Sequence, residues 1–536
     1  MGKTHKKVRY ARVSFLRLLF TFPLLLAFGG LLPPDAAAQT VPKTECGPND
    51  RVETGLQGQT TKFERDSGLS ELGFNCNLEL VGQFQGDGSQ SWHMAWFDNC
   101  AYYPTPPNPE LLHQGTVVVD ASDPRNPHAS AYLDTPAMRY AWESLKVHKG
   151  RKLLAATERF DRSPRTPHLG TGFDIYDLSA DCRHPVLKAS IQLAGSGDPF
   201  RAVQGHAGNF TPDGLTYYAS QDFRGLRGIM PIIDVSDPSN PKQLLNWQFP
   251  GDGRPHDPSF SKDGTRLYSG QPGQFGNTGS SIGPNGLVIL DVSDIQFRRP
   301  NPQISVISTL FWEDGGQSQQ TLGCPRQGEL RCLVTIQGRP HLIFTDEAGA
   351  GGTGGTAGAC ARGVPPHGFA RIIDISDERN PKTISKLMLE VDDPANCPVI
   401  LSDPPGPGFA LSYSSHYCNV DKVRNPKLLA CTYQEAGLRV FDIRDPFHPR
   451  EIAYYKPPAR RTAFLPGSRL WAPGVDRTTD HTASQVRFKK YKGEMQIWFA
   501  SADNGFQIVR FTRHFKAIEE DLLEDRRDRD DEDDDD

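Results

Sequence analysis

The chain has 536 residues, of which 37% are hydrophobic and 23% are charged, and its formal net charge is -5 at neutral pH. Basic residues concentrate at the N-terminus and acidic residues at the C-terminus, so the body between them is close to neutral. A near-neutral body lacks the basic stripe that nucleic-acid binding requires, and the sequence therefore excludes nucleic acid as an expected partner.

Residues 1–38 have the pattern of a signal peptide. Six lysines and arginines lie before residue 18, an apolar run follows from Leu18 to Leu32, and residues 36–38 are three alanines. The apolar run is shorter than the roughly 20 residues that a membrane span requires. We therefore expect a mature chain that begins near Gln39, has no transmembrane segment, and is secreted to the periplasm, the cell surface or the medium. An uncleaved signal anchor is the alternative.

A short β-rich segment that ends in aspartate recurs along the chain, each time followed by a polar turn that in most copies contains proline. Examples are GTVVVDASDPRNP, GIMPIIDVSDPSNP and GLRVFDIRDPFHP. The strand-ending aspartates are Asp120, Asp177, Asp234, Asp291, Asp374 and Asp442. The first four lie 57 residues apart, and the later intervals of 83 and 68 residues indicate insertions within the same unit.

These segments resemble the LVIVD repeat family of bacterial surface β-propellers, whose signature is an LxIxDVSDPxxP hairpin. The resemblance covers about residues 78–511 and implies a secreted or cell-surface propeller. A second pair of strands precedes the hairpin, as in FTPDGLTYYAS, and two pairs of strands make a four-stranded blade. The expected fold class is therefore all-β.

The two ends of the repeat region are incomplete in a complementary way. Six blades are complete, the segment that ends at Phe511 lacks a fourth strand, and NLELVGQF at residues 77–84 is an isolated strand. Joining these segments closes a seventh blade and removes free sheet edges. We therefore predict a seven-bladed β-propeller over residues 77–513 whose last blade is closed by the N-terminal strand. Six blades with loose ends are the alternative.

Two segments flank the predicted propeller. Residues 39–76 are expected to form an N-terminal lead-in to the first strand. Residues 514–536 form an acidic tail in which thirteen acidic residues oppose three arginines from residue 519 onward. Such a charge run is typical of a solvated, disordered appendage, and weak cation binding is the alternative.

The order of strands assigns the loops to faces of the disc. Loops between strands two and three, and links between blades, lie on one face, which we call the top face. The long insertions all fall there, and binding residues commonly lie on loops of a rigid scaffold. The top face is therefore expected to bind a protein or glycan partner at the cell surface, and flexible loops without a ligand are the alternative.

A second repeated pattern occurs at the start of the innermost strands, whose equivalent residues converge on the propeller axis. The predicted ring consists of His93, Glu143, His206, His256, His416 and His481, while the fifth blade has no clear counterpart around Cys332. Neutral imidazoles can bind transition metals, so copper or zinc is the expected cofactor if the ring is a metal site. The alternative is structural, with each histidine bonded to the backbone of the neighbouring blade.

Two further features concern ligands. The stretch from Pro255 to Gly264 is similar to selenium-binding-type propellers, which implies a histidine-bound copper and thiol oxidation. Arg201 and Arg254 precede two of the ring histidines and are candidates to hold an anionic ligand. Salt bridges to neighbouring acidic residues are the alternative for both arginines.

Ten cysteines in an exported chain predict disulfides, because an oxidising compartment preserves them. The sequence contains no Cys-x-x-Cys motif. The expected pairs are Cys418 with Cys431, Cys324 with Cys332, and Cys360 with Cys397. The pairings of Cys46, Cys76, Cys100 and Cys182 stay open, and Cys46 with Cys76 is the favoured local choice.

Two functions of different classes follow from these features. The first is a secreted or cell-surface binding module that presents its top-face loops to a protein or glycan. The second is a metal-dependent oxidoreductase of the copper type that uses the histidine ring at the channel. The chain contains no GxSxG, HExxH, Walker or GxGxxG motif, and the strand-ending aspartates repeat too regularly to be catalytic.

Overall fold

The computed structural model describes residues 40–87, 93–105, 112–159, 172–194, 205–220, 228–249, 255–272, 274–275, 281–282, 285–322, 334–351, 355–403, 412–460 and 479–523. These residues form seven antiparallel sheets arranged as the blades of a β-propeller, which confirms the predicted fold class. The predicted signal peptide and most of the acidic tail lie outside the described residues.

Each blade contains four strands that follow one another in the sheet. Blade one comprises Ala95–Phe97, Cys100–Pro104, Thr116–Asp120 and His128–Leu133. Blade two comprises Lys146–His148, Leu153–Thr157, Gly172–Asp177 and Val186–Gln192. Blade three comprises Gly208–Phe210, Thr216–Ala219, Ile229–Asp234 and Lys242–Gln248. Blade four comprises His256–Phe260, Arg266–Gln271, Asn285–Asp291 and Ser305–Trp312. Blade five comprises Gly316–Leu322, Arg339–Ala348, Ala370–Asp374 and Lys382–Leu387. Blade six comprises Cys418–Val420, Leu428–Thr432, Leu438–Asp442 and Arg450–Lys456. Blade seven comprises Arg487–Tyr491, Glu494–Ser501, Gly505–Phe511 and Leu78–Phe84.

The remaining elements are short. Additional strands are Phe74–Cys76, Val334–Ile336, Gln274–Phe275 and Ser281–Ile282. Helical segments are Lys62–Asp66, Leu69–Leu72, Pro136–Arg139, Ser293–Gln296, Gly355–Arg362, Glu390–Asp392, Pro394–Asn396, Cys397–Ser402, Arg513–Ile518 and Glu520–Leu523. Within the part of the chain that the structure describes, none of these helices has the length and apolar character needed to cross a bilayer.

Both chain ends build the seventh blade. The strand Leu78–Phe84 pairs antiparallel with Gly505–Phe511, in a register that places Leu78 opposite Phe511. The circle of blades then closes through a hydrophobic cluster that joins blade seven to blade one and includes Trp498 and Val117. The predicted closure by the N-terminal strand is therefore confirmed, and the six-bladed alternative is wrong.

The first strand of each blade lies nearest the axis. First strands of neighbouring blades contact one another, whereas fourth strands such as Lys242–Gln248 alternate between exposed and half-buried residues. Hydrophobic clusters fill the interfaces between neighbouring blades. This arrangement brings the residues at the starts of the first strands together at the centre of the disc.

The repeated aspartates hold the turns that follow the third strands. The carboxylate of Asp120 accepts hydrogen bonds from the backbone N–H of Ser122 at 2.9 Å and from its hydroxyl at 2.6 Å. Asp234 and Asp374 accept the corresponding backbone bonds from Ser236 and Ser376 at 2.9 and 2.8 Å. These bonds stabilise the turn locally, which explains why the aspartate recurs in blade after blade.

The lead-in is packed against blade six, to which Phe74–Cys76 adds a fifth strand beside Arg450–Lys456. Its Glu53 binds Arg439 of the sheet at 2.7 Å, and the same arginine binds Glu451 at 3.0 Å. All three side chains are buried. The segment therefore belongs to the folded body of the protein.

Four disulfides are present among the described residues, which contain no free cysteine. They join Cys46 to Cys76, Cys100 to Cys182, Cys360 to Cys397 and Cys418 to Cys431. The pairs of Cys360 with Cys397 and of Cys418 with Cys431 were expected from the sequence. Among the four cysteines whose pairing was open, Cys46 pairs with Cys76, which was the favoured choice, and Cys100 pairs with Cys182. Cys324 and Cys332 lie outside the described residues.

Blade five carries a long insertion in which His367 is fully buried. Its Nδ1 lies 2.8 Å from the carbonyl oxygen of Val391, a group that can only accept, so Nδ1 carries the proton. Burial lowers the pKa of His367 to about 4, although this backbone bond raises it. The folded protein therefore resists protonating a ring that the unfolded chain protonates near pH 6.5.

This difference predicts an acid sensitivity that His367→Gln removes. Between pH 6.5 and pH 4 the unfolded chain binds one more proton at this site, so stability falls as the pH falls. We expect the parent protein to lose about 2 kcal/mol more than His367→Gln between pH 7 and pH 5. Urea unfolding of both proteins at the two pH values measures the difference. Equal losses would show that His367 does not titrate as its burial indicates.

Candidate functional site at the propeller axis

Glu143, His206 and His256 meet at the centre of the disc. They come from the second, third and fourth blades, and one ligand atom from each lies within 4.8 Å of the others. Glu143 precedes the first strand of its blade and is held by its backbone N–H, which donates to the carbonyl of His206 at 3.1 Å. Three of the six residues that the sequence placed in the ring therefore share one point, and a fourth, His416, contacts the other oxygen of Glu143.

The carboxylate of Glu143 faces the two imidazoles. Its Oε2 lies 3.4 Å from Nε2 of His206 and 3.2 Å from Nε2 of His256. All three side chains are no more than 5% exposed. Burial alone would raise the pKa of Glu143, but the adjacent histidines hold it well below its usual range. The carboxylate is therefore ionised at neutral pH.

Backbone carbonyls of neighbouring blades fix the tautomers of two histidines. Nδ1 of His256 lies 2.6 Å from the carbonyl oxygen of Gln319, and Nδ1 of His416 lies 2.6 Å from that of Ala483. Because a carbonyl can only accept, Nδ1 carries the hydrogen in both rings, and neutral rings present the Nε2 lone pair. Through Nδ1, each ring therefore forms the bond to a neighbouring blade's backbone that the structural alternative expects. Through Nε2, each ring also faces a carboxylate.

His416 lies between two carboxylates. Its Nε2 is 3.3 Å from Oε2 of Glu347 and 3.8 Å from Oε1 of Glu143. Glu347 is the penultimate residue of the second strand of blade five and is 8% exposed. Glu143 thus directs one oxygen toward His206 and His256 and the other toward His416.

Sequence reasoning missed three residues of this cluster. Nε2 of Gln319 donates to Oε2 of Glu143 at 2.7 Å, the hydroxyl of Tyr417 donates to the same oxygen at 3.3 Å, and Glu347 faces His416. The first strand of the fifth blade is Gly316–Leu322 and does not lie around Cys332, where the sequence offers no counterpart. The sequence signal for this strand is the polar run GQSQQTL at residues 316–322. The insertion that follows it moved the expected position of the strand toward Cys332.

Irregular backbone directs these side chains toward the axis. The strand pairing of blade four shifts between His256 and Ser259, and that of blade five shifts between Ser318 and Gln320. Bulges of this kind redirect side chains and are common beside active sites. Trp142, next to Glu143, has a φ of 47°, which is strained for a bulky residue. Strain of this kind concentrates at functional sites.

Two of the predicted ring residues lie apart from Glu143 in different ways. The His93 ring packs edge-on against Tyr417 at 5.5 Å, and burial, together with the charge of Lys146, lowers its pKa well below the usual range. Nε2 of His481 lies 2.9 Å from Oε1 of Gln434. Because an amide oxygen accepts, that nitrogen is a donor and does not offer a lone pair.

A buried ion pair lies beside the cluster. Nζ of Lys146 is 2.7 Å from Oδ1 of Asp257, and both side chains are almost fully buried. These two residues, with polar neighbours such as Gln320 and Asn419, line a cavity of about 20 Å³. A cavity of this size has room for about one water molecule.

Partly exposed residues connect the cluster with the surface. The Trp142 ring lies 6.2 Å from the His206 ring, and the guanidinium of Arg159 stacks on Trp142 at 3.5 Å. Arg201 and Arg254, the expected anion-binding residues, lie outside the described residues, as do large parts of the top-face loops. Partner binding by those loops therefore stays a prediction.

Comparisons with known proteins give a match to one repeat model and structural similarities at low sequence identity. The LVIVD repeat model matches residues 228–247, which contain the turn that follows Asp234. No curated protein matches the chain significantly.

Solved structures of low sequence identity are similar to this chain over much of its length. A periplasmic gluconolactonase from Pseudomonas aeruginosa is 11% identical, with a TM-score of 0.42 over 76% of this chain and 98% of that one. A hypothetical selenium-binding protein from Sulfolobus tokodaii is 10% identical, with a TM-score of 0.45 over 79% and 96%. The β-propeller domain of Cps50 from Myceliophteria thermophila is 9% identical, with a TM-score of 0.45 over 81% and 100%. Together with the sheet topology, the family match identifies this protein as a seven-bladed β-propeller that carries an LVIVD repeat.

Proposed function

We propose that this protein is a metal-dependent propeller that binds a copper or zinc ion between Glu143, His206 and His256. The observation that carries the proposal is the convergence of one carboxylate and two imidazole nitrogens from three blades at one buried point. Two imidazoles and one carboxylate are a ligand set that first-row transition metals accept.

The separations between the ligand atoms fit an ion. Two ligands bound at about 2.0 to 2.1 Å lie about 3.3 Å apart in tetrahedral geometry. The Oε2 atom of Glu143 lies 3.4 and 3.2 Å from the two Nε2 atoms. The side chains therefore need little movement to bind a common ion.

The surroundings also favour metal binding. The carbonyl that accepts from Nδ1 of His256 orients the ring and selects the tautomer whose Nε2 can bind a metal, as is common for metal-bound histidines. Four polar atoms crowd around Oε2 of Glu143. Two are the donors of Gln319 and Tyr417, and the other two are the Nε2 atoms of His206 and His256, of which the neutral His256 ring presents a lone pair and no hydrogen. An ion in place of some of these contacts relieves that crowding.

The metal supplies Lewis acidity and, if it is copper, one-electron redox chemistry. The chain binds the ion, fixes the orientation of its imidazoles and keeps bulk water away from a site whose residues are nearly inaccessible. The disulfides support export to an oxidising compartment, such as the periplasm or the cell exterior. With copper bound, the activity we propose is that of an oxidoreductase.

Metal content tests this proposal directly. We expect purified protein, supplied with Cu(II) or Zn(II) and then freed of weakly bound ions, to retain at least one ion per chain. The double variant His206→Ala/His256→Ala should lose at least tenfold in affinity for the ion at this site, because two of its three ligands are gone.

The matched control removes two exposed histidines, in His184→Ala/His448→Ala, and should retain the parent's metal content. Metal is measured by elemental analysis, and folding by circular dichroism. Parent protein without tightly bound metal, or a double variant that keeps the parent's full content, would contradict the proposal.

A further inference from the structure

Tyr417 brings a further oxygen to the candidate metal site. Its hydroxyl lies 3.3 Å from Oε2 of Glu143, and the Nε2 atoms of His206 and His256 lie 3.4 and 3.2 Å from the same oxygen. Two ligands of one tetrahedral ion are about 3.3 Å apart when each bond is about 2.0 Å long. These three neighbours of Oε2 therefore lie from it at the spacing expected between ligands of one ion.

The phenol is held in place through its backbone and through its ring. Tyr417 immediately precedes the first strand of blade six. Its N–H donates to Oγ1 of Thr432 at 3.2 Å, and its carbonyl accepts from the Thr432 N–H at 2.8 Å. The ring packs edge-on against those of His93 and His416, with centroids 5.5 and 4.8 Å away. The fully buried hydroxyl is thus preorganised beside Glu143.

The charge of an ion at this site calls for a second anionic ligand. Glu143 supplies one negative charge and the two neutral imidazoles supply none, so the three ligands leave a divalent ion with one positive charge. The three side chains are almost inaccessible to water, and a buried charge is costly unless it is paired. A phenolate from Tyr417 would provide the missing negative charge at the ion itself.

Gln319 is a further neighbour of Oε2, but it does not offer the same chemistry. Its Nε2 donates to Oε2 of Glu143 at 2.7 Å, and an amide nitrogen has no lone pair for a metal. In this orientation Gln319 supports the carboxylate of Glu143 and does not bind the ion. Rotation of the amide, which would present its oxygen, is the competing arrangement, and it leaves the positive charge uncompensated.

We propose that the oxygen of Tyr417, as a phenolate, is the fourth ligand of the ion that Glu143, His206 and His256 bind. The inference rests on the proposed metal site and adds the ligand that completes it. As the bond from the oxygen to the ion forms, the O–H bond of the phenol breaks and its proton passes to the solvent. The four ligands then come from blades two, three, four and six.

Absorption spectra of the Cu(II)-loaded protein test this ligand. A phenolate bound to Cu(II) gives an intense charge-transfer band in the visible, which imidazole and carboxylate ligands do not give. We expect the band in the parent and in the control Tyr491→Phe, which removes the hydroxyl of a partly exposed tyrosine. Tyr417→Phe should lose the band and bind Cu(II) at least about tenfold more weakly through the three remaining ligands. Circular dichroism checks that each variant is folded.

Resonance Raman spectra of the parent provide a measurement that needs no variant. Excitation in the visible band should enhance phenolate ring vibrations, and these should shift when ring-deuterated tyrosine is incorporated. A copper-loaded parent without these vibrations, or a band that Tyr417→Phe retains, overturns the role of Tyr417 and leaves the three-residue site intact. A parent without tightly bound copper or zinc overturns both.

Discussion

Replacement of residues 78–84 by a Gly/Ser segment of equal length should prevent the protein from reaching a stable fold. This strand supplies the fourth member of blade seven and buries Leu78 against the core between blades six and seven. Its loss leaves one side of the strand Gly505–Phe511 unpaired, as a new sheet edge, and opens the closed ring of blades. The expected cost exceeds about 5 kcal/mol, which is comparable to the whole stability of many domains.

Single substitutions in the same strand give a graded test. Leu78 is fully buried, whereas Leu80 is 43% exposed. Leu78→Ala should cost about 2 to 5 kcal/mol through lost burial and the cavity that remains. Leu80→Ala should change stability by roughly 0.5 kcal/mol or less. Unfolding midpoints in urea, with the yield of soluble protein, measure both effects. Similar midpoints for the two variants would contradict the closing role of this strand.

Arg439→Met should have the second largest effect on stability. The guanidinium is fully buried and binds Glu53 of the lead-in at 2.7 Å and Glu451 at 3.0 Å. Its removal leaves two buried carboxylates without their closest cation, and breaking a buried ion pair in this way costs about 3 to 5 kcal/mol. We also expect faster hydrogen exchange in residues 41–77, because one of the buried bonds between the lead-in and blade six is lost.

Two controls identify the origin of that loss. Arg125→Met removes a side chain that is 82% exposed and should change stability by less than about 0.5 kcal/mol. The triple variant Glu53→Gln/Arg439→Met/Glu451→Gln should recover part of the lost stability, because neutral amides are less costly to bury than carboxylates. A triple variant no more stable than Arg439→Met would show that packing of the arginine, and not its charge, stabilises this region.

The sequence was sufficient for the architecture because the information is local and repeated. Each strand-ending aspartate binds the backbone of its own turn, as Asp120 does with Ser122, so the hairpin is readable within a few residues. The closing strand was readable because Leu78–Phe84 alone had no partner in its own neighbourhood. Closure then follows from the general cost of a free sheet edge.

The site was only partly readable from the sequence. The histidines stood out because they recur at one register of the first strands, and Glu143 occupies the same place in its blade. The pattern did not distinguish His206 and His256, which meet Glu143, from His481, which bonds Gln434. That difference depends on how far each strand start reaches toward the axis, and bulges in single blades alter the reach.

The sequence by itself therefore determined the blade count, the closure and the local turns of this protein. Only the tertiary structure decided which side chains share the axis. Gln319 and Tyr417 reach the same oxygen of Glu143 from 176 and 274 residues away, and Glu347 faces His416 across a blade boundary. Contacts between distant strands leave no local pattern, because they arise from the packing of whole blades around a common axis.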